Sequence, residues 1–241
     1  MLDPTLTVLM YSSLAALAAV VGVLPQAVRG MPSLRSIGWA NALAAGLMTG
    51  VAYVLLTVGL GERLVAGGVG ALLGILFVRM THALTDTGEL DLARLDEVGP
   101  VYGYKVLLAD TVHAAHEGIA IGAAMALSLP LGISMAVALG VHNVPEAMVL
   151  GRVLVRQGTG LLQAAALAVA TNINQILFAV VTFAVVTAAP VILPWVIGFA
   201  VGALLYLVLV DLLPESYRQA GHTSIALVTI VALGMVVLLA G

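Results

Sequence analysis

The sequence contains no cysteine and very little charge. Of its 241 residues, 9% are charged, 5% are aromatic and 62% are hydrophobic. Soluble domains carry roughly 25% charged and about 45–50% apolar residues, so this chain has too few polar side chains for a water-facing surface. Without cysteine, disulfides and thiolate metal ligands are excluded. Its nine basic residues are scattered singly, which leaves no patch for nucleic acid. The surrounding solvent is therefore predicted to be lipid.

Long apolar runs take the place of the missing charge. Each is near the ~20 residues that a helix needs to cross a bilayer. The runs are also continuous, whereas a membrane β-barrel would alternate every second residue. These features predict an all-α, polytopic membrane protein, with residues 1–241 forming a single transmembrane domain. The eight predicted helices cover residues 6–28, 37–60, 63–83, 104–128, 131–152, 160–188, 190–212 and 223–240.

Basic residues are divided unequally between the two ends of these helices. One side has only Arg63, and the other has eight: Arg29, Arg35, Arg79, Arg94, Lys105, Arg152, Arg156 and Arg218. Short loops rich in Lys and Arg stay in the cytoplasm, so both termini are predicted to lie outside it, in a cell (inner) membrane. The first run lacks a basic n-region and a cleavage site, which favours a retained helix over a signal peptide. Residues 84–103 then form an acidic cytoplasmic loop, either a solvated linker or a cation-attracting vestibule.

The fourth and fifth helices carry the same polar pattern. The stretch "VHAAHEGIAIG" begins at Val112, and "VHNVPEAMVLG" begins 29 residues later at Val141. In each stretch a His and a Glu are four residues apart and therefore lie on one helical face, one turn apart. Because the two helices are consecutive and joined by a short turn, their polar faces are expected to meet near the middle of the membrane.

Two glutamates at this depth need a partner. A carboxylate at the bilayer centre costs about 2.5–3.5 kcal/mol on insertion scales, and all Lys and Arg residues are predicted near interfaces. A mobile cation is the remaining partner. Imidazole and carboxylate ligands suit Zn²⁺, with Fe²⁺, Mn²⁺ and Cd²⁺ left open, and four ligands suit tetrahedral Zn²⁺ well. We therefore predict a metal site formed by His113, Glu117, His142 and Glu146, with no prosthetic cofactor.

Three neighbouring residues are connected with this site. His116 lies on the same side of the fourth helix as His113 and is a candidate ligand. Asp110, one turn before His113, is either an exit-path ligand, a proton relay or an interfacial side chain. Pro145 has no N–H, so the Val141 carbonyl loses its helical donor and a kink is predicted beside the site.

At these residues the sequence resembles the ZIP (Zrt/Irt-like) family of divalent metal transporters, most closely its GufA-like branch. That branch carries His-Asn-x-Pro-Glu-Gly in both helices. The fifth helix here reads "HNVPEA" from His142, and the fourth departs from the motif at Ala114 and His116. The stretches "LAAGLMTG" and "GFAVGALLYLVLVDLLPES" are also similar. The resemblance implies that helices 1–3 and 6–8 are inverted repeats around the 4–5 pair, with the metal path between helices 4 and 5.

The resemblance also implies further candidate ligands. Asn143 belongs to the family's motif, and Met48 stands where the family can place a metal-contacting Met. The family's sixth helix often supplies a Glu for a second metal position, but this chain has "TNINQ" there, with Asn174 and Gln175. One strong site is therefore expected, with His116, Asn174 and Gln175 as additional candidate ligands.

Two functions fit these residues. The first is a permease, passive or proton-coupled, that carries a divalent metal ion such as Zn²⁺ toward the cytoplasm. The second is an intramembrane zinc-dependent hydrolase that activates water at the same ligands. The hydrolase is the weaker hypothesis, because "HEGIA" has Ala120 where the zincin motif needs a second His. A metal sensor that binds without transport is a third hypothesis. The expected partners are the bilayer and the metal ion, and a homodimer is left open.

Overall fold

The residues that the structure describes form eight helical spans, numbered α1 to α8 in order. The structure is a computed structural model that describes residues 3–59, 61, 63–85 and 101–240. In these residues the spans are α1 (Pro4–Leu17, Ala19–Val23 and Gln26–Arg29), α2 (Leu34–Gly59), α3 (Leu64–Thr85), α4 (Val101–Leu127), α5 (Leu129–Arg156), α6 (Leu161–Thr171 and Ile173–Ala188), α7 (Pro190–Ile192, Leu193–Leu207, Val208–Leu212 and Leu213–Ala220) and α8 (His222–Ala240).

The predicted all-α, polytopic membrane architecture is confirmed. Within the described ranges, seven spans are long and apolar enough to cross a membrane. The span outside those seven is α4, whose 27 residues are sufficient in length. Its apolar sequence is interrupted by five ionisable side chains, those of Lys105, Asp110, His113, His116 and Glu117. The helix that departs most from a membrane composition is therefore the one that carries half of the predicted metal site.

The long acidic connection is shorter at both ends than predicted. Helix α3 continues to Thr85, and α4 already begins at Val101, so the predicted limits of 84–103 were too wide. The acidic residues that motivated the vestibule hypothesis lie outside the described residues.

The helices pack in pairs, and the set of pairs stays the same when the first half of the chain is exchanged with the second. Helix α3 packs along α7 and α2 along α8, while α4 packs along α6 and α1 along α5. If α1, α2 and α3 are exchanged with α6, α7 and α8, and α4 with α5, each of these pairs becomes another pair of the same set. The neighbour relations are therefore those that an inverted repeat around the α4–α5 pair requires.

Helices α4 and α6 touch through glycines. A Cβ atom placed on Gly118 would lie 2.3 Å from the Gln175 carbonyl oxygen, and one on Gly122 would lie 2.4 Å from the Ala179 carbonyl oxygen. No side chain fits in either gap, so the two backbones meet directly. Small residues at this spacing are the usual means by which membrane helices approach closely. This approach brings the beginning of the second α6 segment against the centre of α4.

Three spans are irregular at the depth of the site. Helix α1 is interrupted at Ala18 and α6 at Asn172. In α7, Val208–Leu212 forms a π-helical turn directly before Pro214, whose missing N–H removes one regular helical hydrogen bond. Such turns often occur at functional sites. Helix α5, in contrast, continues through Pro145 without a break.

Candidate metal site between helices α4 and α5

The centre of the site is a buried pair of ionisable side chains. Glu117 of α4 is 0% exposed and His142 of α5 is 2% exposed. Glu117 Oε1 lies 3.0 Å from His142 Nε2. Two ligands of a tetrahedral Zn²⁺ ion, with bonds of about 2.0–2.1 Å, lie ~3.3 Å apart. The two atoms are therefore already separated almost as they would be when bound to one ion.

Glu146 joins two groups of candidate ligand atoms. In the first group, one ligand atom each of Glu117, His142 and Glu146 lies within 4.8 Å of the others. In the second group, ligand atoms of Asp110, His113 and Glu146 meet the same limit. The four residues predicted as one site thus fall into two adjacent groups that share Glu146, and His113 groups with Asp110.

The second group continues to α3 and α7 through His82. His82 Nε2 lies 3.3 Å from His113 Nε2 and 3.1 Å from Asp211 Oδ2. His82 is only 10% exposed in its side chain, and the π-helical turn holds Asp211 against it. No local sequence pattern connects His82 with His113 or Asp211, since the three residues lie on three different helices.

His116 is fully buried beside the site. Its Nδ1 interacts with the backbone carbonyl of His113, one turn earlier. Its Nε2 has no hydrogen-bond partner within the described part of the chain. It is the residue that replaces the proline of the family's motif, and its free nitrogen remains a candidate ligand atom.

The amide candidates serve two different purposes. Gln175 Nε2 donates to Glu117 Oε2 at 2.9 Å, and Asn143 Nδ2 donates to Gln175 Oε1 at 3.0 Å. Asn174 Nδ2 instead donates to the Thr111 carbonyl at 3.0 Å, which joins α6 to α4 away from Glu117. Gln175 and Asn143 therefore belong to the surroundings of Glu117, whereas the Asn174 amide is engaged in a contact between helices.

Met48 lies in the apolar interior. It is 0% exposed and belongs to a buried apolar cluster that also includes Ile121, Met135 and Leu139. Ile121 follows Glu117 by one turn on α4, and Leu139 precedes His142 by one turn on α5. Met48 thus belongs to the same buried apolar cluster as residues that lie one turn from Glu117 and His142.

The site is rich in carboxyl groups. The contacts of the Glu117 carboxylate in the described part of the chain are with the His142 imidazole and the Gln175 amide. Asp110 and Glu146 add two more carboxyl groups within the same two groups of ligand atoms. Such a set of carboxylates and imidazoles is chemically suited to a divalent cation.

The family of the chain follows from a match that covers more than half of it. Residues 81–240 match the family described as "ZIP Zinc transporter". The chain belongs to the ZIP zinc transporter family. The matched ZIP region begins just before His82 and includes α4 to α8, and therefore all the ionisable residues described above.

Curated relatives agree with this assignment. A putative zinc transporter of Arabidopsis thaliana is 28% identical over 196 residues, which make up 78% of this chain and 31% of that protein. Zinc transporter GufA of Myxococcus xanthus is 31% identical over 152 residues, or 62% of this chain and 60% of that protein. Zinc transporter ZIP13 of Pongo abelii is 29% identical over 157 residues, or 63% and 45%. The chain spans less than two thirds of each relative. The predicted resemblance to ZIP proteins, with a GufA-like branch, is confirmed.

Proposed function

We propose that this ZIP chain carries divalent transition-metal ions, principally Zn²⁺, across a membrane toward the cytoplasm. The observation that carries the proposal is the buried Glu117–His142 pair with Glu146 in the same group of candidate ligands. The three relatives described above are all named as zinc transporters, which supports Zn²⁺ as the cargo.

The proposed binding step uses the first group of ligand atoms. An arriving ion exchanges its waters for Glu117 Oε1 and His142 Nε2, which lie 3.0 Å apart, and for an oxygen of Glu146, a residue of the same group of candidate ligands. One imidazole and two carboxylates give a neutral complex with a divalent ion when the imidazole is neutral. The electrostatic cost of the buried carboxylates is thereby relieved only while the cargo is present.

The proposed release step leads toward the end of the bundle that carries most of the basic residues. From Glu117 and His142, the next ionisable side chains in that direction are Glu146, then Asp110 and His113, then His82 and Asp211. Exposure is lowest at the start of this series and highest at its end: Glu117 is 0% exposed, and the side chain of Asp211 is 28% exposed. A series of candidate ligands that ends at a more solvent-exposed carboxylate favours release of the ion on that side.

The opposite side of the central pair is apolar and dry. Ile121, Met135 and Leu139 are each 0% exposed, and these side chains offer a hydrated cation only a thioether sulfur or hydrocarbon. We propose that entry requires these helices to separate, as in alternating access between two groups of helices. Because eight of nine basic residues flank the polar end, that end is assigned to the cytoplasm and both termini to the outside.

A hydrolase at the same ligands is the alternative function. It would need an open coordination position with an activated water, and the relatives above are named as transporters and not as enzymes. The two functions differ in a simple measurement. A transporter moves Zn²⁺ into closed vesicles, whereas a hydrolase leaves the ion where it was added.

The test is an uptake assay with purified protein in metal-free liposomes. An indicator suited to each metal, enclosed in the vesicles, reports entry of Zn²⁺, Fe²⁺, Mn²⁺ or Cd²⁺ added outside. The variant His142→Ala with Glu146→Ala removes two of the three ligands of the first group. His222→Ala is the matched control, because His222 is an exposed histidine that stacks near Tyr217, with 5.1 Å between ring centroids, at the start of α8.

We expect Zn²⁺ uptake by the wild-type protein and by His222→Ala, and loss of at least about 100-fold of that uptake in the double variant. Loss of a group that only hydrogen-bonds to a metal ligand typically costs 10–100-fold in metal affinity, and loss of two ligands should cost more. Equal uptake by the double variant would remove the site assignment. Lack of uptake by the wild-type protein would remove the function itself.

A further inference from the structure

The two oxygens of Glu117 have different neighbours. Oε1 faces His142 Nε2 at 3.0 Å, and His142 forms the first group of candidate ligands together with Glu117 and Glu146. Oε2 accepts a hydrogen bond from Gln175 Nε2 at 2.9 Å. Both contacts are inside the protein, since Glu117 and Gln175 are 0% exposed. One oxygen is therefore directed to the cargo position and the other is occupied by an amide.

Asn143 determines which way the Gln175 amide points. Asn143 Nδ2 donates both to Gln175 Oε1 at 3.0 Å and to the Ala15 carbonyl oxygen at 2.9 Å. With a donor on one side of Gln175, its NH₂ group must face Glu117, because the reverse orientation would bring two acceptors together at one end and two donors together at the other. Asn143, Gln175 and Glu117 thus form a hydrogen-bonded chain, called the relay below, that runs from the Ala15 carbonyl of α1 to the carboxylate on α4.

The backbone positions this relay. Gly118 lets the Gln175 carbonyl approach α4 to within 2.3 Å of where a Cβ would stand. The break of α6 at Asn172 begins a new helical segment three residues before Gln175. The Gln175 side chain is thus anchored next to Glu117 by a contact between two main chains, which is stiffer than a contact between side chains.

We infer that Gln175, oriented by Asn143, is a positioning residue that sets metal preference by keeping Glu117 monodentate through Oε1. The inference rests on the proposed function. With Oε2 occupied, Glu117 contributes one oxygen to the cargo, and the site has few ligands. Low coordination numbers suit Zn²⁺, which is commonly four-coordinate, whereas Mn²⁺ prefers octahedral, oxygen-rich surroundings. The relay therefore disfavours Mn²⁺ without touching either ion.

Two variants of Gln175 test the inference. Gln175→Leu removes the donor and keeps an apolar side chain of similar length, which frees Oε2 for bidentate binding. Gln175→Glu removes the donor and adds an oxygen ligand. In both variants we expect the ratio of Zn²⁺ to Mn²⁺ uptake rates in liposomes to fall by roughly 10-fold, the lower bound for losing an outer-shell partner. X-ray absorption at the zinc edge should show a higher coordination number in the variants than in wild type.

The matched control is Asn172→Leu. Asn172 is a buried amide on the same helix, but its Nδ2 donates to the Ala168 carbonyl of α6 itself at 3.0 Å. Loss of a buried amide from α6 can lower the rate for every ion, whereas only loss of the Gln175 donor should change the ratio between ions. We expect Asn172→Leu to retain the wild-type ratio and the wild-type zinc coordination number.

The outcomes separate the inference from the proposed function. If wild-type protein transports Zn²⁺ and both Gln175 variants keep the Zn²⁺/Mn²⁺ ratio within about 2-fold, the inference is wrong while the proposed function stands. If Asn172→Leu changes the ratio as much as Gln175→Leu does, the effect is general loosening of α6 and the inference is also wrong. If the Leu variant cannot be purified, Gln175→Glu alone decides by the same ratio. A wild-type protein that moves neither ion overturns both.

Discussion

Substitution of Gly118 by alanine tests whether contact between the α4 and α6 main chains holds the site together. The new Cβ would lie 2.3 Å from the Gln175 carbonyl oxygen, while ordinary contact begins near 3.4 Å, so α6 must retreat by about 1.1 Å. Gln175 Nε2 moves with its backbone, and its 2.9 Å bond to Glu117 lengthens to ~4 Å, beyond hydrogen-bonding distance. We therefore expect a loss of both stability and transport.

The size of the stability loss follows from two opposing effects. Overpacking costs about 1–3 kcal/mol, while Gly to Ala in a helix gains up to about 1 kcal/mol. Gly234→Ala on α8 is the matched control, because no atom lies within 4 Å of its Cβ position. Gly234→Ala gains helix propensity without any overpacking, whereas Gly118→Ala has both effects. The free energies of unfolding of the two variants should therefore differ by the overpacking cost, about 1–3 kcal/mol.

The assay is a thermal melt of both variants in detergent, followed by Zn²⁺ uptake in liposomes. For a chain of this size, 1 kcal/mol corresponds to about 2–4 °C in Tm. Gly118→Ala should therefore melt several degrees below Gly234→Ala and take up Zn²⁺ more slowly. Equal melting temperatures, or normal uptake by Gly118→Ala, would refute the argument that main-chain contact positions Gln175.

Two further predictions concern protons and the release path. Zn²⁺ affinity should fall as the pH is lowered from about 7 to about 5, because imidazole and carboxylate groups bind metal only when deprotonated. Isothermal titration calorimetry measures this affinity at each pH. An affinity that rises as the pH falls would contradict the prediction. His82→Ala should slow Zn²⁺ uptake by about 10-fold, because His82 connects His113 with Asp211. A rate equal to that of His222→Ala would show that the release path does not pass His82.

The central pair could be predicted from sequence because its signal is local. A His and a Glu four residues apart share a helical face, and two such turns on consecutive helices must approach each other in a tight antiparallel pair. The structure accordingly brings Glu117, His142 and Glu146 together. His113 was predicted in the same set but lies with Asp110, because the choice between neighbouring groups depends on side-chain directions that spacing does not determine.

The contributions of α3, α6 and α7 could not be predicted in the same way. His82 is 31 residues from His113 and on another helix, and Asp211 reaches it from a π-helical turn that no pattern indicated. Gln175 was predicted as a candidate ligand, yet in the structure its amide nitrogen points at a carboxylate. Its orientation depends on Asn143 and on a glycine contact, which are tertiary features.

The central proposal is that Glu117 and His142 together bind the transported ion in the middle of the membrane. The most direct measurement is a crystal structure of the protein grown with Zn²⁺, with anomalous scattering recorded at the zinc edge. The claim predicts a peak between the two helices, about 2.0–2.2 Å from Glu117 Oε1 and His142 Nε2, with a Glu146 oxygen also bound. A zinc peak elsewhere, with Glu117 Oε1 still 3.0 Å from an unmetallated His142, would contradict it.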